Sequence, residues 1–235
     1  MKKLIFILTL ILVSQTADAQ LFSKEKLANR ENFDQRFLTW GYYLGFNSYD
    51  FKIDYFEELG DERTDILVEN QVGFQVGLVG DMRVSNYINL RFEPGLYFTQ
   101  RNLMFPGFTN EIDAMRETKS TYIHLPILVK FSTKRLNNIK PFIVGGLSTS
   151  FNLSSNETNP EDNEEGQFRM KRFTNYYELG FGIDLYLYFF KFTPSIRGVF
   201  AFTDELVPDD SSSSPWTGNI SQLSTRGVFI NFTFQ

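Results

Sequence analysis

The sequence predicts an all-β fold, an eight-stranded antiparallel up-and-down transmembrane β-barrel. Three observations predict it. Apolar and polar residues alternate in eight segments, the connections between segments are alternately long and short, and aromatic residues are abundant. Phe, Tyr and Trp make up 17% of the 235 residues, which is typical of aromatic girdles at two membrane interfaces.

The strands are recognised by period-2 alternation. In residues 72–82, Val72 and Phe74 alternate with Gly73 and Gln75. We expect the apolar set to face lipid. The other set mixes glycine with isolated charges, which suits a narrow lumen. The eight segments are roughly 37–48, 71–84, 87–101, 121–132, 139–152, 175–187, 190–203 and 224–235.

The connections favour a membrane barrel over a soluble one. Long connections, about 49–70, 102–120, 153–174 and 204–223, alternate with short turns near 85–86, 134–138 and 188–189. Outer-membrane barrels have this layout, with short periplasmic turns and long outer loops. A soluble lipocalin-like barrel shares the alternation, but it would not need so many outward aromatic residues.

The start of the chain has the pattern of a cleavable secretory signal. A basic start is followed by the apolar run 4–13 and by the small residues Ala17 and Ala19. That run is too short to span a bilayer. The predicted organisation is a signal peptide at 1–19, a periplasmic lead-in at 20–36 and an outer-membrane barrel at 37–235.

Composition excludes several classes of function. The chain has no cysteine and a formal net charge of −5. Disulfides, thiolate metal sites and a cysteine nucleophile are therefore excluded, and an acidic balance argues against nucleic acid. No cofactor and no metal are expected. The expected surroundings are outer-membrane lipid and lipopolysaccharide.

Charged residues on the inward faces predict a closed lumen. An eight-stranded barrel encloses an interior that side chains fill. Both signs of charge are present, which favours a network of ion pairs over a selective channel. The predicted network consists of Asp81, Arg91, Glu93, Lys130, Glu178, Asp184 and Arg197, with Arg83 and Lys191 on the same faces.

Two of the long loops are acidic. Such runs are usually solvated surface, and they are also candidate contacts for a partner. The candidate contact residues are Glu57, Glu58, Asp61, Glu62, Asp65, Glu161, Asp162, Glu164 and Glu165.

The single histidine, His124, raises the question of an enzyme. It could be combined with Ser120 or Ser148 and with Glu93 into a Ser-His-carboxylate set. No spacing supports this set, and triads are recognised by geometry rather than by sequence. A structural histidine and a non-enzymatic protein are expected, with a lipid-modifying barrel enzyme as the weaker alternative.

Several stretches resemble the PorT (SprT) family of the Bacteroidetes type IX secretion system. The resemblance extends over most of the chain after the signal. It implies a part in exporting proteins with a C-terminal signal across the outer membrane, in delivering adhesins in gliding species, and contact with other secretion-system proteins. The family offers no catalytic motif. The stretches are 32–34, 40–47, 91–96, 122–126, 194–198, 200–206 and 226–229.

The resulting expectation is an outer-membrane component of secretion that acts by contact with other components, since its lumen is too narrow to be the pore. An OmpX-like surface barrel for adhesion or envelope integrity is the alternative.

Overall fold

The computed structural model describes residues 29–56, 65–108, 110, 114–158, 168–209 and 214–235. These residues form one antiparallel sheet that closes on itself. Its strands are β1 (Leu38–Tyr55), β2 (Leu67–Asn70), β3 (Val72–Arg83), β4 (Ile88–Phe92), β5 (Gly95–Met104), β6 (Met115–Ser132), β7 (Ile139–Asn152), β8 (Phe173–Tyr186), β9 (Lys191–Ala201) and β10 (Ile220–Phe234).

The ten segments make a ring of eight strands. Only Gln71 separates β2 from β3, and Glu93 and Pro94 separate β4 from β5. Each of these two pairs is one interrupted strand. β1 closes the ring by pairing with β10 on one side and with β3 on the other. The predicted eight-stranded up-and-down barrel is confirmed.

The interruption between β4 and β5 lies beside a large inward side chain. Pro94 has no N–H to donate to a ladder, and Tyr43 fills the space inside. The Tyr43 hydroxyl donates to the Glu93 carbonyl at 3.2 Å. A Cβ added at Gly95 would lie 2.0 Å from that hydroxyl oxygen. Glycine at position 95 is therefore what allows tyrosine at position 43.

The two faces of the sheet differ as the alternation predicts. On β1, Trp40, Leu44 and Phe46 are exposed, whereas Tyr43 and Asn47 are buried. An apolar outer face and a polar inner face are the reverse of a soluble barrel and are what a lipid environment requires.

Most strands extend further at the loop end than the sequence predicted. We define the loop end as the end with the long connections and the turn end as the end with the short turns. The first strand runs over Leu38–Tyr55 where 37–48 was predicted, and the fourth over Met115–Ser132 where 121–132 was predicted. The long connections shrink to 56–66, 105–114, 153–172 and 202–219.

The extension was missed because the pattern inverts near the loop end. On β1, Tyr49 and Phe51 are buried in the interior while Asp50 and Lys52 lie on the outer face. A search for strands with apolar residues outside cannot recognise such a stretch. Since a polar outer face does not suit lipid, this part of the sheet extends beyond the apolar band.

The residues before β1 fold against the turn end of the barrel. A 3₁₀ helix, Glu31–Gln35, follows Arg30, whose φ of 52° is left-handed. Phe33 of this helix is buried and meets the Tyr186 ring edge-on, with 6.2 Å between ring centroids. Of the predicted lead-in, residues 29–36 are thus packed on the barrel. Residues 1–28, with the predicted signal peptide, lie outside the described residues.

Among the described residues, no helix has the length and apolarity to cross a membrane.

Candidate functional site

The lumen near the turn end contains a buried ion pair. Lys130 Nζ lies 2.5 Å from Asp184 Oδ2, and both side chains are almost fully buried. Thr193 donates to the other Asp184 oxygen at 2.8 Å. Strands β6, β8 and β9 each supply one of these residues. Buried charges that are paired and hydrogen-bonded in this way are tolerated in an interior.

A second set of charges crosses the middle of the lumen. Arg91 contacts Asp81 at 3.4 Å and Glu93 at 3.1 Å. Arg197 Nη1 lies 2.9 Å from Glu93 and 3.3 Å from Glu178. The structure therefore places all seven sequence-predicted network residues in the interior, as one connected chain of five and the separate Lys130–Asp184 pair.

His124 continues the chain of charges. Its Nε2 is 2.7 Å from Glu178 Oε1, and its Nδ1 is 2.6 Å from Ser150 Oγ. The serine and the carboxylate proposed from sequence, Ser120 or Ser148 with Glu93, are thus not its partners. Register explains the difference, since His124 on β6 pairs directly with Ser150 on β7.

Ser150, His124 and Glu178 have the order of a catalytic triad but not its accessibility. All three residues are buried. Three aromatic rings surround the imidazole, with centroids 4.8 Å away for Tyr97 and 5.8 Å away for Tyr176 and for Phe229. A triad acts only where a reacting carbonyl can reach the serine. The hydrogen bonds of this set join three neighbouring strands, β6, β7 and β8, on the inner face of the barrel.

A layer composed mainly of tyrosines, the tyrosine layer, fills the lumen between the charges and the loop end. It consists of Tyr43, Tyr49, Tyr97, Tyr122 and Tyr176 together with Val199 and Phe229. Above it, Arg101 donates to the Tyr122 hydroxyl and to Thr225, both at 2.8 Å. The Arg101 guanidinium also stacks on Phe51, 3.7 Å from the ring centroid. These side chains leave no open bore at this level.

An apolar cluster closes the loop end. It consists of Phe51, Leu103, Phe105, Phe168, Met170, Leu206, Ile220 and Leu223. Strand ends and loop residues contribute together, and Met170 and Leu206 form an isolated β-bridge between two long loops. The described parts of these two loops are thereby packed onto the barrel.

Two acidic residues fasten the loop after β9. Asp204 accepts hydrogen bonds from the backbone N–H groups of Leu206 and Leu223. Its partial burial opposes ionisation, but these bonds and Lys171 hold the pKa of Asp204 below its usual value. Glu205 accepts a hydrogen bond from the Thr225 backbone N–H at 2.9 Å, and burial raises the pKa of its carboxyl above the usual value despite the nearby charge of Arg101.

The acidic loop candidates fall largely outside the described residues. Asp65 is exposed just before β2. The others, Glu57, Glu58, Asp61, Glu62, Glu161, Asp162, Glu164 and Glu165, lie in the ranges that are not described.

No metal centre is evident in the described ranges, where no three His, Asp or Glu residues come close enough to hold an ion.

Sequence reasoning found the inward charges but missed Ser150, the tyrosine layer and the apolar cluster. The tyrosines share strand parity with the charges, so parity alone could have placed them inside. The apolar cluster includes loop residues, for which strand parity gives no signal.

Comparison with known proteins agrees with this architecture. The family described as outer membrane protein beta-barrel domain matches residues 18–207. No curated protein matches the chain.

Solved barrels resemble the fold at low identity. OprG from Pseudomonas aeruginosa is 14% identical with a TM-score of 0.44, over 84% of this chain and 93% of that chain. Neisserial surface protein A is 9% identical with a TM-score of 0.42, over 82% and 95%. Ail of Yersinia pestis is 13% identical with a TM-score of 0.39, over 83% and 96%. Likenesses at this level identify no activity.

Proposed function

The chain belongs to the family of outer membrane proteins with a β-barrel domain, and on that premise we propose that it is needed for protein secretion by a type IX-like system. In this role it acts by contact with other components and not as the pore. Its location is the outer membrane. The partners are other secretion-system proteins.

The filled lumen is the observation that supports a role by contact with other proteins. The Arg197 ion pairs, the tyrosine layer and the apolar cluster of the loop end lie at successive levels of the interior. A polypeptide cannot pass side chains that are this closely packed. A secretion role is therefore compatible with this barrel only if cargo crosses elsewhere.

The observation that favours secretion is the resemblance of the chain to the PorT family. It is most particular in the runs 40–47 and 200–206. The second run contains Asp204, Glu205 and Leu206, which fasten the loop after β9. The acidic loops are the surface that a partner could contact at least cost to the fold.

The experiment is deletion of the gene followed by complementation, with cargo that carries a C-terminal secretion signal measured in the medium. We expect loss of secretion on deletion and rescue by the wild-type chain. Deleting 57–65, or replacing Glu161, Asp162, Glu164 and Glu165 with neutral residues, should leave a folded barrel that secretes less.

The matched control keeps the loop charge. Glu161→Asp combined with Glu164→Asp and Glu165→Asp should secrete like the wild type, and heat-modifiable migration should show that every variant is folded. Normal secretion by the deletion strain would refute the proposal. Normal secretion by both loop variants would restrict the contact to the outer wall or to residues 20–36.

A surface barrel for adhesion or envelope integrity is the second candidate, favoured by the length of the strands. β1 and β6 have 18 residues each, whereas a membrane-spanning strand needs about 9–11. The extra residues lie at the loop end, where Phe51 and Ile53 of β1 pack in the apolar cluster. Normal secretion together with reduced adhesion, or with increased sensitivity to detergents, would support this candidate.

A further inference from the structure

We propose that the turn end of the barrel carries an anion-binding site that takes a phosphate group. The site is a cavity of about 430 Å³ between the Glu31–Gln35 helix and the short turns. This site lies at the turn end, opposite the ends of the strands that the long connections join, and it does not depend on the secretion or surface role.

The shape of the cavity is defined by residues 29–36, which hydrogen bonds hold against the turn end of the barrel. The Asn29 backbone N–H donates to Asn138 at 2.9 Å, and its side chain donates to the Tyr186 carbonyl at 3.1 Å. Arg30 donates to the carbonyl of Gln235, the last residue of the chain, at 2.9 Å. The Tyr186 hydroxyl donates to Asp34 at 2.5 Å. The helix therefore forms one wall of the cavity.

The charges that line the cavity are unbalanced. Seven are cationic, namely Arg36, Arg83, Lys130, Lys134, Arg135, Lys140 and Lys191, and four are carboxylates, namely Glu31, Asp34, Asp81 and Asp184. This gives an excess of three positive charges at one end of a chain whose net charge is −5.

Three of the four carboxylates are already paired. Asp184 pairs with Lys130 at 2.5 Å, and Asp81 pairs with Arg91 at 3.4 Å. Asp34 lies 3.4 Å from Arg135 and 3.7 Å from Lys140. The cations that remain for a ligand are Arg36, Arg83, Lys134 and Lys191.

Lys191 is the one buried side chain among these four cations. It is only 4% exposed, yet in the described part of the chain no carboxylate lies within 4.0 Å of its Nζ, and Asp184 and Asp81 act on it only from further away. Its Nζ instead lies 4.8 Å from the centroid of the Phe33 ring. A buried ammonium with no anion in direct contact is costly, and an anion in the cavity would offset part of that cost.

Two further cations lie near the Phe33 ring. Arg30 and Arg36 also lie over its ring, at 4.6 Å and 5.7 Å from the centroid. Three cations around one ring are attracted by its negative face but repel one another. An anion beside them would relieve this repulsion.

The chemistry of the donors on the cavity wall favours a phosphate group. Its oxygens accept several charge-assisted hydrogen bonds at once, and Lys191, Arg83 and Lys134 offer them from three different segments. The residues that precede the helix offer no excess of carboxylates to neutralise these cations, since Lys24 and Lys26 outnumber Glu25 there. The phosphate could come from a soluble ester or from a phospholipid headgroup at the membrane surface.

The test is calorimetric titration of the folded full-length barrel in a maltoside detergent. One arm uses inorganic phosphate, and the other uses short-chain phosphatidylglycerol. We expect Lys191→Gln to weaken binding roughly tenfold or more, as loss of a charge-assisted bond should, and Lys134→Gln to weaken it less. Lys119→Gln, at the exposed loop end, removes the same charge and should have no effect.

Binding of inorganic phosphate would identify a soluble source, and binding of phosphatidylglycerol alone would identify a headgroup. The inference is overturned if neither probe binds, or if Lys119→Gln weakens binding as much as Lys191→Gln. If Lys191→Gln does not fold, the Lys134→Gln variant decides, because unchanged affinity there would also overturn the inference.

Discussion

At the scale of single residues, Glu93 is the position at which the charges of the lumen meet. One of its carboxylate oxygens pairs with Arg91 and the other with Arg197. Both arginines are buried. Removing the carboxylate would leave two cations without a shared partner, since Arg197 would keep only Glu178 and Arg91 only Asp81.

We therefore expect Glu93→Leu to destabilise the barrel by about 3–5 kcal/mol. The measurement is the temperature at which heat-modifiable gel migration is lost. Glu117→Leu is the matched control, because Glu117 pairs with Lys119 on the exposed surface and such pairs contribute about 0–1 kcal/mol. Equal transitions for Glu93→Leu and the wild type would show that Glu93 is solvated in solution.

Asp204 gives a prediction about pH. Its pKa in the folded chain lies below the ordinary value of 3.8, so its stabilisation of the loop is present above pH 3.8 and is lost as pH falls through the lower folded value. Asp204→Asn should thus make the loop after β9 more susceptible to proteolysis at pH 7. With an acid-active protease near pH 2 the difference should shrink. A difference that is the same at both pH values would contradict the role given to the ionised carboxylate.

The inward charges were predictable from the sequence because strand parity alone places a residue inside or outside. The pairing of His124 with Ser150 was not predictable, since it depends on the register between β6 and β7. The contact between Phe33 and Tyr186 joins residues far apart in the chain, and nothing in a polar, charged lead-in indicates that it packs on the barrel.

At the scale of elements, the strands have two zones with opposite faces. In the membrane zone the outer face is apolar, as on β1 at Trp40 and Phe46. Toward the loop end Phe51 turns inward while Lys52 faces out. Eight strands and three turns were predictable from the membrane pattern, but the loop-end extensions were not, because they follow the opposite pattern.

The orientation of these elements is testable by labelling. The chain has no cysteine, so a single introduced thiol reports one position. Thr158→Cys in a long loop and Leu136→Cys in a short turn are both at exposed positions. Outer loops are the long ones in this class of barrel, so an impermeant maleimide on whole cells should label Thr158→Cys only.

Lysed cells provide the control, in which both thiols should react. Labelling of Leu136→Cys but not of Thr158→Cys on whole cells would invert the orientation. The anion-binding end would then face the exterior.

At the scale of the whole molecule, the barrel is closed at successive levels. Residues 29–36 cover part of the turn end, ion pairs and tyrosines fill the middle, and an apolar cluster closes the loop end. The interior ties the strands together, and the outer surfaces remain for partners.

Single-channel recording tests most directly whether the lumen is closed. The purified full-length barrel would be inserted into planar lipid bilayers beside a porin of known conductance, with insertion verified by protease protection. The filled interior predicts no steady open level at any holding potential. A reproducible, long-lived conductance step from the wild-type chain would contradict the account.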